Sequence, residues 1–454
     1  MPISPARAAA FDILLRVERE SSYAIELLHA KTYQDLSLQD HALTTELVMG
    51  VLRWRSRLDD EIAQASSQRL NKLDLEILIA LRLALYQLRN LDRIPPRAAI
   101  NESVELVKRA RKKSAAPFVN AVLRKLSKVS PGSPSRSFVS LVVKDVSVQD
   151  IAVRSAHPLW LVEQWANEYG ADAALKICTH NQSIPATAIR LRSPEAESVL
   201  TKEGIQLGPG FLLRDARRID SGDITQTQAF RNKEVLIQDE ASQLVAALVD
   251  RVEQKEARIL DCCAAPGGKT LAIADANPTA DITAVELHPH RARLMQKLWG
   301  ASAEKIKTVV ADARALPQTN SYDRILADVP CSGTGTLARN PEIKWRLKPE
   351  DLPDLQNRQR EVLRSALKHL APGGRLVYST CSLEKEENED VITQILNEDN
   401  SIHLLDCGEE LNHLKEEGKL VWPNPESLTR GPYLRTIPGA HPCDGFFAAI
   451  LQKK

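Results

Sequence analysis

The spacing of apolar positions divides the 454-residue chain into stretches of different character. In the first, apolar residues recur every three or four positions. Phe11, Leu14, Leu15 and Val17 share one side of a helix, opened by Ser4 as N-cap and Pro5 at the first helical position. A second apolar run spans Tyr23 to Leu28. Leu43, Leu47, Val51, Leu52 and Leu58 mark a stripe along a helix over about 38–64. The segment 73–90 is apolar nearly all round, as a central core helix is. Pro95 and Pro96 break the pattern, and two further helices are expected over 97–113 and 117–128. Residues 1–130 therefore read as an all-α bundle.

The Ser/Pro/Gly-rich run from Val129 to Ser137 begins a linker placed at 131–145. Beyond it, 146–182 is helical in pattern, with Trp160, Leu161 and Trp165 as core residues. A strand at 187–192 and a helix at 195–203 follow, so 146–224 reads as a small α/β subdomain. From about 225 strands and helices alternate. Strands are expected at 234–238, 258–262, 282–286, 307–311, 323–328, 374–380 and 445–452. Helices are expected at 239–250, 289–299, 353–370 and 385–397. This alternation predicts a mostly parallel, doubly wound sheet over 225–454. Ligands of such sheets sit at the carboxyl ends of the strands.

Composition narrows the class. A hydrophobic fraction of 43% and a charged fraction of 26% are those of a globular chain with material for buried cores. No apolar run approaches the roughly 18–20 residues that span a bilayer, and the N-terminus lacks the pattern of a signal peptide, so a cytoplasmic protein without membrane contact is expected. The seven cysteines (178, 262, 263, 331, 381, 407 and 443) are odd in number and form no Cys-x-x-Cys pair. A disulfide framework and a metal site are both disfavoured. No obligate protein partner is indicated.

Charge is unevenly spread. Residues 1–130 hold 21 Lys and Arg against 15 Asp and Glu, in a chain whose net charge is +1. Lys108, Arg109, Arg111, Lys112, Lys113, Arg124, Lys125 and Lys128 crowd the last two helices of the bundle. They are either a solvated charged face or a surface for nucleic-acid phosphates.

The chemistry-bearing residues stand at strand ends. After the first central strand comes Cys263-Ala264-Ala265-Pro266-Gly267-Gly268-Lys269, whose small residues let a ligand approach the backbone closely. It is neither a Walker loop nor G-x-G-x-x-G. The next two strands end in Glu286, suited to ribose hydroxyls, and Asp312, suited to an adenine amine. Together they fit a nucleoside-bearing cofactor. The following two strands lead into Asp328-Val329-Pro330-Cys331 and Thr380-Cys381-Ser382. Neighbouring strands lie about 5 Å apart, so both thiols are expected to face one cleft. Cys381 is expected at the start of a helix, whose amino end lowers a thiol's pKa, whereas Glu384, Glu386 and Glu387 oppose that. Lys344 and Trp345, in Arg339-Asn340-Pro341-Glu342-Ile343-Lys344-Trp345, offer a cation and a stacking surface for a splayed base.

The strings DCCAAPGGKT, ADVPCSGTG, RNPEIKW and YSTCS resemble those of bacterial RNA cytosine-5 methyltransferases of the Fmu/Sun type, which modify a cytosine in 16S ribosomal RNA. The resemblance extends over the whole chain. The basic bundle is similar to their NusB-type RNA-binding domain, and Asp444-Gly445-Phe446-Phe447 matches their final strand. It implies a Rossmann-like class I methyltransferase domain and 16S rRNA as partner. It also implies S-adenosylmethionine held by residues 263–269, Glu286 on the ribose, Asp312 on the adenine, and Asp328 between cofactor and base. In that family the Thr-Cys-Ser cysteine is the nucleophile, hence Cys381, and the Pro-Cys cysteine, hence Cys331, assists product release. DNA cytosine methyltransferases use Pro-Cys as the nucleophile, and the residues alone do not choose between the two thiols. Val329 departs from the alanine more usual there and leaves the cysteine spacing intact.

The chemistry accounts for the thiol. Carbon 5 of cytosine is a poor nucleophile until a thiolate adds at carbon 6 and makes the ring an enamine. Competing readings fare worse. An adenine methyltransferase needs an aromatic residue where Cys331 stands. A thiol-redox enzyme leaves the other motifs unexplained. A catalytically silent ribosome assembly factor would not be expected to keep every catalytic position. The same chemistry on tRNA or another rRNA site remains as the alternative within the family.

Overall fold

The computed structural model describes residues 3–128, 146–249, 257–316 and 321–454. The linker expected at 131–145 lies outside the described residues. Contacts divide the chain into two units, Met1–Ile184 with Leu337–Arg346, and Pro185–Thr336 with Leu347–Lys454.

Among its described residues the first unit contains helices and no strand. Its longer elements are Pro5–Glu20, Leu38–Ala65, Leu75–Asn90, Pro96–Arg109 and Ala116–Lys128, followed by Val148–Arg154, Leu159–Tyr169 and Ala171–Asn181. Leu47, Leu52, Ile79, Leu83, Val107, Val119 and Leu123 are buried in one core, and Trp165 is fully enclosed. The helix 75–90 is buried on nearly every side, as its composition predicts. Gly50 sits inside the helix Leu38–Ala65 because a Cβ there would lie 2.0 Å from the Tyr86 ring. Close helix approach offsets the roughly 1 kcal/mol that glycine costs in a helix interior. Ser37 caps this helix, accepting from Asp40 N at 3.1 Å. Ser4, expected to cap the first helix, makes no such bond. Its hydroxyl instead accepts from the Arg7 guanidinium at 3.0 Å.

The second unit contains two sheets. The smaller is antiparallel, with strands β1 Thr187–Leu191, β2 Gln206–Pro209, β3 Ala216–Ser221 and β4 Val235–Ile237 in the order β2-β3-β1-β4. The division therefore falls inside the subdomain expected over 146–224, since the helices of 148–181 group with the bundle. The strand expected at 234–238 exists but pairs with β1 and does not join the large sheet.

The large sheet is built on parallel strands β5 Arg258–Asp261, β6 Asp281–Glu286, β7 Ile306–Val310, β8 Tyr322–Asp328 and β9 Leu370–Thr380. Four antiparallel strands complete it: β10 Ile402–Leu405, β11 Thr429–Arg430, β12 Tyr433–Thr436 and β13 Phe446–Lys453. The order is β11-β12-β13-β9-β8-β5-β6-β7, with β10 also on β13. From β5 the chain runs outward through β6 and β7, then returns to place β8 on the other side. The strand order reverses between β5 and β8, and such a switch point leaves a crevice at the carboxyl edge.

Candidate active site

Three loops meet at that crevice. The loop after β5 carries the Cys263–Lys269 run into the helix Gly268–Ala276. Gly267 has φ +106°, and a Cβ there would lie 2.7 Å from the Trp299 indole nitrogen, which donates to Gly267 O at 2.8 Å. Both the left-handed backbone and the space demand glycine. Asp261, at the end of β5, is buried and accepts from Thr270 Oγ1 at 2.7 Å and from Cys263 N at 3.3 Å. Burial pushes its carboxyl up to about 7. The sequence reading passed over Asp261, although its place one residue before the cysteine pair at a strand end marks it.

Lys269 reaches across the crevice. Its ammonium donates to Asp328 Oδ2 at 2.7 Å and stands 4.9 Å over the Phe446 ring. Burial opposes this charge, but Asp328 and, after it, Cys381 and Asp261 hold the ammonium above its ordinary range. Asp328 Oδ1 accepts from Ser379 Oγ at 2.7 Å, the residue facing it on β9.

The two cysteines do come together. Cys331 Sγ and Cys381 Sγ are 3.3 Å apart, within sulfur hydrogen-bond range. The contact with Cys381, then burial, then Glu387 and Asp328 push the Cys331 thiol well above the ordinary range. Cys381 lies in the turn after β9, four residues before a 3₁₀ turn at Lys385–Glu387, and the helix proper starts at Glu389. The helix-start position expected for it is corrected accordingly. Of the other cysteines, Cys178, Cys262, Cys407 and Cys443 are buried and Cys263 is part-buried. Burial raises Cys178 and Cys407 to about 12, and Cys262, Cys263 and Cys443 well above the thiol range. Such thiols are unreactive.

Behind the cysteines, backbone meets backbone. Gly335 N donates to Cys381 O at 2.9 Å and Gly445 N to Gly335 O at 2.8 Å. A Cβ on Gly335 would lie 2.1 Å from Gly445 O. Glu387, read from sequence as one of several charges near Cys381, is fully buried and hydrogen-bonded to both cysteine loops.

At the far side of the crevice Glu286 is 5% exposed. One of its oxygens accepts from His288 N at 2.8 Å, and the other has no hydrogen-bond partner among the described residues. Leu287 and Val310, 51% and 50% exposed, present apolar surface at the ends of β6 and β7. Asp312 is held by Arg314 through both carboxylate oxygens, at 3.0 and 2.6 Å.

In the helical unit the expected RNA contacts divide. Lys108 pairs with Glu105 and Arg109 with Asp12, both at 2.7 Å, and Lys112 with Asp74 at 2.9 Å. Lys125 reaches the carbonyls of Gln64 and Ala65 at the end of a helix. Arg111, Lys113, Arg124 and Lys128 are exposed with no ion pair among the described residues. Lys344 and Trp345 do not present a cation and a ring for a base. Lys344 is 1% exposed and donates to Arg53 O at 3.0 Å, and the Trp345 indole donates to Leu52 O at 2.6 Å. Burial holds the Lys344 ammonium well below its usual range. The neighbouring Arg346 binds the carbonyls of Val17, Ser21 and Ser22, which end the first helix. The segment is a structural part of the helical unit, and its expected contact with RNA is withdrawn.

No group of three or more His, Cys, Asp or Glu among the described residues is arranged to hold a metal. No helix among them is long and apolar enough to cross a membrane.

Residues 247–452 match the family model described as 16S rRNA methyltransferase RsmB/F, and 4–128 match the NusB family. A Bacillus subtilis protein, "Probable ribosomal RNA small subunit methyltransferase B", is 34% identical over the whole of both chains. Ribosomal RNA small subunit methyltransferase B of Vibrio cholerae is 29% identical over all of this chain and 98% of its own. Among solved structures, the crystal structure of PH0851 superposes with a TM-score of 0.80 over all of both chains at 22% identity, a likeness of fold.

Proposed function

Because the chain belongs to the RsmB/F family of 16S rRNA methyltransferases, we propose that it methylates carbon 5 of a cytosine in 16S rRNA, with Cys381 as the covalent nucleophile. The observation that carries this reading is the thiol pair, 3.3 Å apart past the ends of two neighbouring strands. The contact with Cys381, burial, and then Glu387 and Asp328 keep Cys331 a thiol. That supports Cys381 as the attacking sulfur, a choice the sequence motifs alone leave open.

S-adenosylmethionine, when bound, supplies the methyl group. The residues at the crevice suit it. Glu286 offers a carboxylate oxygen for ribose hydroxyls, and Leu287 and Val310 offer an apolar slot for the adenine. The segment Cys263, Ala264, Ala265, Pro266, Gly267, Gly268 and Lys269 gives close backbone approach at a helix amino end. Asp312 keeps acceptor capacity for the adenine amine beyond its bonds to Arg314.

Cys381 adds to carbon 6 of the base and makes carbon 5 nucleophilic. Asp328, fixed by Ser379 and Lys269, holds the amidine edge of the cytosine and stabilises its protonated form in the adduct. Once carbon 5 has gained the methyl group, a base takes its proton, and the C–H electron pair restores the 5,6 double bond as the bond to Cys381 breaks. Cys331, already hydrogen-bonded to that sulfur, stabilises it as it leaves. The exposed Arg111, Lys113, Arg124 and Lys128, with Lys108, Arg109, Lys112 and Lys125 around them, supply phosphate contacts in the NusB-like unit.

The test is transfer of labelled methyl from S-adenosylmethionine to purified 16S rRNA and to tRNA, with the modified base mapped by bisulfite sequencing. Label at one 16S cytosine is the expected result. Label confined to tRNA would keep the chemistry and refute the target.

A further inference from the structure

Glu387 is the one carboxylate whose oxygens touch both cysteine loops among the described residues. Its Oε1 accepts from Ser332 N and from Gln359 Nε2, each at 2.8 Å. Its Oε2 accepts from the hydroxyls of Ser332 and Ser382, each at 2.5 Å. Ser332 and Ser382 directly follow Cys331 and Cys381, and their hydroxyl oxygens are 3.0 Å apart. All four lone-pair sites of this fully buried carboxylate are thus in use. Three of the four bonds go to the residues beside the thiols.

Glu387 is itself firmly placed. Tyr378 Oη, from within β9, donates to Glu387 O at 2.6 Å. The adjacent Asn388 donates to Ser382 O and to Glu384 O, and its own oxygen accepts from Thr380 Oγ1. Arg435 donates to Ser382 O at 3.0 Å and pairs with Glu389. The loop that carries Glu387 is therefore tied to β9 on one side and to the Cys381 turn on the other. A rigid anchor that grips both loops fixes the separation of the two sulfurs.

We propose that Glu387 is a positioning residue that sets Cys331 and Cys381 as one unit, holding the two sulfurs at the spacing that hand-over between them requires. It touches neither thiol and takes no part in the bonds that change. The backbone N–H of Ser332 cannot turn round to accept, so an acceptor is required at Oε1. The hydroxyls facing Oε2 can turn and accept from an amide. Glutamine keeps both functions; alanine keeps neither and leaves buried donors without partners.

The catalytic meaning of this rests on the reading of Cys381 as nucleophile, so the test separates the two. Spacing is read without RNA by equilibrating the full chain in glutathione buffers. The two thiols and one oxidised glutathione give the 331–381 disulfide and two reduced glutathiones, quantified by peptide mass spectrometry. Glu387→Ala is expected to lower that equilibrium constant by about tenfold or more, and Glu387→Gln by less than about threefold. In methylation assays Glu387→Ala is expected to cut kcat by about a hundredfold with KM for S-adenosylmethionine nearly unchanged, and Glu387→Gln to restore most of it. If Glu387→Ala does not fold, Ser332→Ala with Ser382→Ala removes both bonds to Oε2, two of the four, and is expected to lower the disulfide constant about fivefold. A constant unchanged in Glu387→Ala, or in that double variant, overturns the proposal. A lowered constant in an enzyme whose methylation survives Cys381→Ala upholds the positioning and overturns the nucleophile assignment instead.

Discussion

The Lys269 ammonium and the Asp328 carboxylate, 2.7 Å apart, link the helix after β5 to the end of β8 across the place where the strand order reverses. One ion pair thus joins the loop that suits a cofactor to the strand end that leads into Cys331.

Replacing Lys269 by methionine should keep the packing against Phe446 and remove the charge. Preorganised charges at reacting centres are worth about two to three orders of magnitude in rate. Single-turnover methylation by Lys269→Met is expected to fall by at least about a hundredfold. A rate within threefold of the parent would remove Lys269 from the chemistry.

The two thiols should fail differently. Cys381→Ala is expected to lose turnover and any denaturant-stable protein–RNA bond. Cys331→Ala is expected to form that bond and release it slowly, so that adduct accumulates on a denaturing gel. Adduct in Cys381→Ala and none in Cys331→Ala would exchange their roles.

Asp261 gives a pH dependence whose sign follows from its environment. Its folded carboxyl titrates near 7 rather than at the ordinary 3.8 because it is buried. The folded state therefore binds more protons than the unfolded chain between those values. Its stabilising contribution is complete below the unfolded value and is lost as pH rises through about 7. A difference of about three units corresponds to ~4 kcal/mol at most. Urea midpoints of the wild type should fall relative to Asp261→Asn between pH 5 and pH 8. Parallel midpoints across that range would contradict this account.

Lys344 offers a contrast between packing and recognition. Its ammonium is buried against one carbonyl and the face of the Trp345 ring, and replacing buried charges by apolar groups of similar volume is often neutral or stabilising. Lys344→Met should leave RNA affinity within about twofold and raise the melting temperature or leave it unchanged. A marked loss of RNA affinity at unchanged stability would restore its role as an RNA contact.

What could be read from the sequence was what periodicity carries. β8 and β9 are apolar, regular strands, so the cysteines just past their ends could be placed side by side before any coordinates. β10, β11 and β12, at Ile402–Leu405, Thr429–Arg430 and Tyr433–Thr436, were not expected from sequence. β3 escaped notice because its sequence, Ala-Arg-Arg-Ile-Asp-Ser, looks like exposed loop. Glu387 stands in Glu-Lys-Glu-Glu-Asn-Glu, a run that reads as solvated charge. Only the tertiary fold selects Glu384 and Glu387 among those acids for the interior. Lys344 and Trp345 misled for a related reason, since the carbonyls they satisfy lie about 290 residues earlier in the chain.

That separation bears on how the protein is made. The end of the first helix is closed by Arg346, whose bond to Val17 spans 329 residues. At about 5–20 residues per second, a ribosome adds Arg346 roughly 15–65 s after Val17. The helical unit, although it begins at the amino terminus, cannot be finished first. It acquires its last ten residues only after most of the catalytic sequence has been synthesised. A nascent chain stopped at Ile184 holds 184 of the 194 residues of that unit and lacks the piece that closes it.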